Sequence, residues 1–266
     1  MRASVVIRVR DEAAALGELL ARLARQTLPH ELVVVDSGSR DGSPEAAAAA
    51  GARVIGIAAS EFTFGGALNR GTAAASGDVV VALSAHAFPR DDGWLERMAA
   101  SFDDPAVACA FGAERDWAGA PLAAPVRQDA VLLRAHPEWG YSNGAGGFRR
   151  ALWAERPFRE DMPGTEDREW SLWALEARGG VCVLDPALAV DHDHAGDSLR
   201  ECFVRWEREA RGYAMFLDLP PYGARDALRE WWGDQGWHRS RARARLDPRR
   251  AARLAGKWRG RRAARV

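Results

Sequence analysis

ELVVVDSGSRDGS, residues 31–43, decides how this chain is read. Residues 32–35 form an apolar, largely β-branched run, which suits a strand covered on both faces of a sheet. The run stops at Asp36-Ser37-Gly38-Ser39, passes through Asp41-Gly42-Ser43 and enters an alanine-rich helical pattern. In an open α/β sheet, ligands bind just beyond the carboxyl ends of the strands. Asp36 therefore stands where a nucleotide's base or ribose is gripped; the alternative is a residue that caps or shapes the turn.

Outward from this stretch the same unit recurs. Residues 5–9 read as a strand, and 12–25 as a helix with Leu16, Leu19, Leu20 and Leu23 at helical spacing. Strands are expected at 53–57 and 78–83, and helices at 46–50 and 68–75, stopped by Gly51 and Gly77. This βαβα rhythm predicts an α/β fold with a Rossmann-like, doubly wound, mostly parallel sheet. The rhythm then breaks. Residues 112–150 are rich in Gly, Pro and Ala, which predicts loops or a small antiparallel segment. A helix at 167–178, a strand at 181–184 and a helix at 198–216 follow. The expected organisation is a ligand-binding half at 1–100, a second half of the same domain at 101–216, and a Trp- and Arg-rich extension at 217–266.

The chain has 266 residues, 47% hydrophobic and 28% charged, a globular composition with enough length for a proper core. No apolar run approaches the ~20 residues of a membrane helix. The N-terminus enters a strand pattern directly, so no signal peptide is expected. Cys109, Cys182 and Cys202 have neither metal-site spacing nor a disulfide framework, which points to a reducing cytoplasm. A net charge of zero hides an asymmetry: residues 239–266 hold 12 basic residues against one acid, Asp247, and the remainder carries −11. The first βα turn, VRDEAAAL, lacks G-x-G-x-x-G and so argues against an NAD-dependent Rossmann enzyme. It equally lacks the basic, glycine-rich turn of a sugar nucleotidyltransferase.

Seven motifs in order carry a more specific reading: SVVIRVRDE (4–12), VVVDSGSRDGS (33–43), FGGALNRG (64–71), VVALSAHAFP (80–89), SNGAGGFRRALW (142–153), TEDREW (165–170) and DHDHAGDSLRE (191–201). With them the chain resembles family 2 glycosyltransferases of the GT-A fold over roughly residues 3–215, and more narrowly the bacterial rhamnosyltransferase-like members. The resemblance implies an inverting, single-addition transferase. It would use a dTDP-, UDP- or GDP-sugar donor and a glycan, lipid-linked or small-molecule acceptor. The alternative is a GT-A module that binds a nucleotide sugar, or scaffolds a complex, without turnover.

The resemblance also distributes roles. Val9 and Asp36 would border the base and ribose, and Gly65 and Asn69 a turn beside the base and diphosphate; a cap or turn role is the alternative for Asn69. Asn143, Gly144 and Trp153 would line the sugar and acceptor pocket, unless Trp153 belongs to the core. Relatives usually carry Asp-x-Asp, which binds a divalent cation, where this chain has Ser84-Ala85-His86. The leaving nucleoside diphosphate gains negative charge, so something cationic belongs there, Mn²⁺ or Mg²⁺ in the family. His86 is open to three readings: a metal ligand, a hydrogen-bond donor to the diphosphate, or a turn filler. His192, in DHDH, is the second metal-ligand candidate or part of a solvated strand end.

Inverting transfer needs a base that takes the proton of the acceptor hydroxyl. The family gives this task to the Glu-Asp motif: here Asp167, assisted by Glu166. Acids in a helix's first turn are also favoured by its dipole alone. Arg205, with Arg208 and Arg211 on one helical face, would hold a phosphate of the donor or of a lipid-linked acceptor, or form a solvated basic face. The Arg-rich tail suits an anionic membrane surface, here the inner face of the plasma membrane, at ~1 kcal/mol per basic residue. Docking on its own acidic body or on a second subunit of a homodimer is the alternative, and nucleic acid the least favoured partner.

Overall fold

A computed structural model of the chain describes residues 2–115, 120–192, 196–233 and 247–263. It divides into two units, Met1–Asp161 with Glu166–His192, and Met162–Thr165 with Asp193–Val266.

The first unit is built on an eight-stranded sheet. Its parallel half is β1 (Ala3–Val9), β2 (His30–Asp36), β3 (Arg53–Gly56) and β4 (Val79–Ser84), in the spatial order β3-β2-β1-β4. Helices α1 (Ala13–Leu23), α2 (Ser43–Ala49) and α3 (Phe64–Ala74) connect these strands. The register sets Val9 beside Asp36, and Arg8 beside both Val35 and Ser84. The C-terminal tips of β1, β2 and β4 therefore line up along one edge, where an open α/β sheet binds ligands. Beneath them the core is apolar on both faces: Leu16, Leu19 and Leu23 of α1 pack with Val5, Ile7, Val34, Val79 and Val81, and Val6, Val33, Val35, Val80 and Ala82 are buried on the other face.

Beyond β4 the sheet turns mixed. After β5 (Phe88–Pro89) and α4 (Trp94–Ala100) come β6 (Val107–Gly112), β7 (Val126–Gln128), α5 (Ala130–Ala135), β8 (Ala145–Arg149), α6 (Arg150–Glu155), α7 (Glu166–Arg178), β9 (Val181–Asp185) and β10 (Val190–Asp191). The order continues β4-β8-β6-β9-β7, with β8 antiparallel to both neighbours and β7 antiparallel to β9. The antiparallel segment expected within 112–150 is thus β7 and β8. Strand β6 was not anticipated. An aromatic cluster of Tyr141, Phe148, Phe158, Trp170 and Trp173 fixes α7 against β8, with Trp170 fully buried and its Nε1–H donating to the Arg156 carbonyl at 2.8 Å. A separate two-stranded sheet pairs β5 with β10, setting Phe88 opposite Asp191.

The second unit is helical: α8 (Leu199–Tyr213), α9 (Ala224–Gly233) and α10 (Pro248–Ala263). Ser198 and Glu201 form a capping box at the start of α8. Its membership of this unit moves the boundary expected at residue 216 back to 192. Helix α10 lies against α8 so closely that a Cβ on Gly256 would fall 2.5 Å from the Phe203 carbonyl oxygen, and one on Gly260 2.2 Å from that of Glu207. Arg253 and Lys257 cover the Trp206 ring, Arg259 pairs with Glu207, and Lys257 pairs with Glu230. Within the described part of the tail, these cations are engaged by α8 and α9 of the same unit. Residues 239–246, 264–266 and Trp237 lie outside the described residues. No helix among the described residues is long and apolar enough to cross a membrane.

Candidate active site

The turns after β1 and β2 are tied together by backbone donors. Asp36 accepts from Gly38 N at 3.0 Å and Ser39 N at 3.2 Å, an Asx-turn that Gly38 permits with φ +85°. Ser37 donates from N and Oγ to the Val9 carbonyl at 3.1 and 3.2 Å, while the Val9 side chain is core. Asp11 N donates to Ser39 Oγ, Arg40 N to Asp11 Oδ1, and Ala13 N to Asp41 Oδ2 at 2.7 Å. The Ser43 hydroxyl, then the Ala13 N–H, hold the Asp41 carboxyl below its usual range. Asp36 is only 6% exposed, so its carboxylate forms the floor of this turn.

At the β4 tip, Ser84 N donates to the Gly144 carbonyl at 2.9 Å and Ala87 N closes a turn on the Ser84 carbonyl. His86 follows. Its Nδ1 lies 2.6 Å from Glu12 Oε2, and its ring stacks on His192 with centroids 4.9 Å apart and planes inclined by 19°. The β5–β10 pairing brings these two histidines together from distant parts of the unit's sequence. Asp191 is taken up by Arg90 at 2.9 Å and Arg22 at 3.8 Å; Asp193 and His194 lie outside the described residues.

The segment 142–144 connects this tip to the acidic pair. A Cβ on Gly144 would lie 3.4 Å from Ser142 Oγ, 3.8 Å from His192 Cε1 and 4.0 Å from Ser84 Oγ. Asn143 N donates to Asp167 Oδ2 at 2.9 Å, and Asn143 Nδ2 to Glu166 Oε1 at 3.3 Å. Asp167 also accepts from Arg168 N at 2.9 Å and Arg168 Nη1 at 2.6 Å. Arg8 Nη1 stands 3.7 Å from Glu166 and donates to the Phe64 carbonyl. Both carboxylates are at most 5% exposed. Burial, and then the neighbouring Asp167 charge, push the Glu166 carboxyl above its usual range, against the opposing pull of Arg8. The Asn143 Oδ1 is buried with no hydrogen-bond partner. Ser84, His86, His192, Gly144, Asn143, Glu166 and Asp167 thus form one connected site, and the sequence reading missed Glu12 and Arg8 within it. The visible signal for Arg8 was a cation inside an otherwise apolar strand.

Other expected residues are engaged elsewhere. Asn69 donates to the Phe158 carbonyl and Glu160, and accepts from Trp153 Nε1 and Phe158 N, each at 2.9–3.0 Å. That fills the hydrogen-bonding capacity of its amide. Asn69 and Trp153 are therefore a clamp between α3 and the 153–160 segment, in place of the base and sugar contacts read from the sequence. Gly65 belongs to the same junction: a Cβ there would fall 2.3 Å from the Arg159 carbonyl oxygen, so its glycine serves close backbone approach. Arg205 lies in the second unit, paired with Asp197 at 2.9 Å.

Hard Mg²⁺ or Mn²⁺ ions take oxygen-rich sites, whereas imidazoles suit later divalent metals. Ser84, His86, His192 and Glu12 offer a hydroxyl, two imidazoles and one carboxylate already bonded to His86, and no group of three His, Cys, Asp or Glu among the described residues can hold an ion. The described donor set does not fit a hard divalent cation.

Comparison with known proteins agrees with this architecture. A family model described as glycosyl transferase family 2 matches residues 4–149, more than half of the chain. A TPR repeat-containing protein from Synechococcus elongatus is 36% identical over 135 residues; the match covers 51% of this chain but only 32% of that protein's length. Among solved structures, a mannosyltransferase from Pyrobaculum calidifontis in complex with GDP-Man and Mn²⁺ superposes with TM-score 0.65 at 20% identity, over 96% of this chain and 74% of its own. Glucosyl-3-phosphoglycerate synthase from Mycobacterium tuberculosis, in complex with Mn²⁺, UDP and phosphoglyceric acid, gives 0.62 at 22% identity, over 84% and 80%. TarS 1-349 of S. aureus with UDP-GlcNAc gives 0.57 at 18%, over 87% and 70%. These likenesses carry the fold, which is GT-A.

Proposed function

Because the chain belongs to glycosyl transferase family 2, we propose that it transfers one sugar from a nucleotide-diphosphate donor to an acceptor hydroxyl with inversion. The observation that carries this reading is the buried Glu166–Asp167 pair, held by Asn143 next to the β4 tip. In this reading the base and ribose lie against the β2 turn at Asp36, and the diphosphate reaches the tip bearing Ser84, His86 and His192. Asp167 removes the acceptor proton while the acceptor oxygen forms its bond to the anomeric carbon. The bond from that carbon to the donor phosphate oxygen breaks, and the electron pair leaves on the nucleoside diphosphate. Glu166 and Arg8 set the charge around Asp167. Asn143 Oδ1 is a ready acceptor for a sugar hydroxyl.

The donors are dTDP-, UDP- or GDP-sugars, and the acceptor a glycan, a lipid-linked glycan or a small molecule. An anionic lipid surface is the partner we assign to the second unit. Arg225, Leu228, Arg229 and Trp232 follow i, i+3, i+4, i+7 spacing on α9, with Leu228 57% and Trp232 53% exposed. Cations flanking Trp and Leu are the composition of an interfacial helix.

A thermal-shift screen of UDP, dTDP and GDP, with and without Mn²⁺, followed by donor turnover with the matching sugars, tests the reading. Stabilisation by one nucleoside diphosphate together with turnover is the expected result; no stabilisation by any overturns it. The second reading, a binding module without turnover, rests on Ser84 and His86 replacing the two acids. Binding without turnover of any donor would favour it.

A further inference from the structure

We propose that Glu12 is the positioning residue of the diphosphate site, fixing the tautomer and orientation of His86. The proposal rests on the donor reading above and adds to it a residue that closes the first motif, 4–12, without having been given a role there.

Glu12 occupies the N-cap position of α1, yet its side chain makes no cap hydrogen bond. The first N–H of the helix, from Ala13, is instead satisfied by Asp41 of the neighbouring turn at 2.7 Å. The Glu12 carboxylate reaches His86, 74 residues away, at 2.6 Å. A carboxylate only accepts hydrogen bonds, so His86 Nδ1 must carry the proton of this contact. Which ring nitrogen is protonated is set by the bond the other makes. With Nδ1 committed to Glu12, the ring meets a donor phosphate through Nε2. The stack on His192 restrains the ring plane, and Glu12 restrains its rotation within that plane. Helix α1 gives the carboxylate a rigid base, since Leu16, Leu19 and Leu23 are wholly buried. A carboxylate that holds a functional imidazole by its far nitrogen is a recurrent positioning device.

The test compares the full chain with Glu12→Ala and Glu12→Gln. Calorimetric titration uses the nucleoside diphosphate that stabilises the wild type most, and its parent nucleoside. Glu12→Ala is expected to weaken the nucleoside diphosphate at least about tenfold, which corresponds to ~1.4 kcal/mol, and to leave nucleoside affinity and Tm unchanged. Glu12→Gln, whose Oε1 still accepts from Nδ1, is expected to restore affinity to within about threefold (~0.65 kcal/mol) of wild type. Wild-type diphosphate affinity in Glu12→Ala overturns the proposal. So does an equal loss for nucleoside and diphosphate with a falling Tm, which marks a structural role. If the wild type binds no nucleoside diphosphate, the donor reading fails on its own, and ¹⁵N imidazole spectra then decide the positioning claim. A His86 tautomer unchanged in Glu12→Ala refutes it, and a shift away from the Nδ1–H form supports it.

Discussion

The acidic pair has separable parts. Asp167 accepts three donors, two from Arg168 and one from Asn143. Asp167→Asn is expected to retain donor affinity and lower turnover by roughly 10²–10⁴, the range of general base catalysis; single-turnover assays at saturating donor check this, and an unchanged rate removes Asp167 from the role. Glu166 predicts a stability signature instead. Its carboxyl is pushed up in the fold, so the folded chain binds more protons than the unfolded one between the two pKa values. Its contribution to stability is present at low pH and lost as pH rises through the raised value. Glu166→Gln should flatten that decline in Tm between acidic and neutral pH, and a parallel decline would show that the carboxyl titrates normally. Asp36, Ser84 and Glu166 were singled out from the sequence because each ends a strand or begins a helix, and His86 and Asp167 because they stand within two positions of such an end. Glu12 and Arg8 were not, because their partners lie 74 and 158 positions away and only the folded sheet brings them within reach.

Among elements, the parallel half was readable because β1 and β4 are buried on both faces and α2 and α3 are followed closely by Gly51 and Gly77. Strand β6, VACAFG, was hidden by brevity: a short apolar run among loops has no period to announce it. Helix α10 was hidden by a sequence whose cations drew attention to outside partners, whereas its glycines reveal a packed face. Motif matching gave FGGALNRG a ligand role that packing reassigns to a junction. Gly65→Ala is accordingly expected to destabilise the fold by about 1–3 kcal/mol through overpacking against the Arg159 carbonyl. Asn69→Ala should cost about 2–3 kcal/mol by leaving Trp153 Nε1 and the Phe158 backbone unpaired. Chemical denaturation measures both. A Gly65→Ala or Asn69→Ala chain of native stability with impaired nucleotide binding would return those residues to the donor site.

For the whole molecule, the charge asymmetry was legible and its resolution was not. A linear sequence gives twelve cations but not their partners, and α10 finds several of them on α8 and α9. Removing residues 247–266 should therefore expose Phe203 and Trp206 and make the second unit susceptible to proteolysis, rather than trim an independent tail. Charge reversal of Arg225 and Arg229 together should reduce co-sedimentation with phosphatidylglycerol vesicles at least about tenfold, from ~1 kcal/mol per basic residue, with nucleotide binding intact. Equal sedimentation of the variant would remove α9 as the lipid-facing helix.

The pairing of β5 with β10 also orders events in time. His86 and His192 are joined only once the last strand of the first unit has been laid down. Contacts between segments so distant in sequence close late, after local βα units have formed. A refolding or newly synthesised chain would show native helical signal before the two imidazoles meet, and that lag would time the closure of the β5–β10 pair.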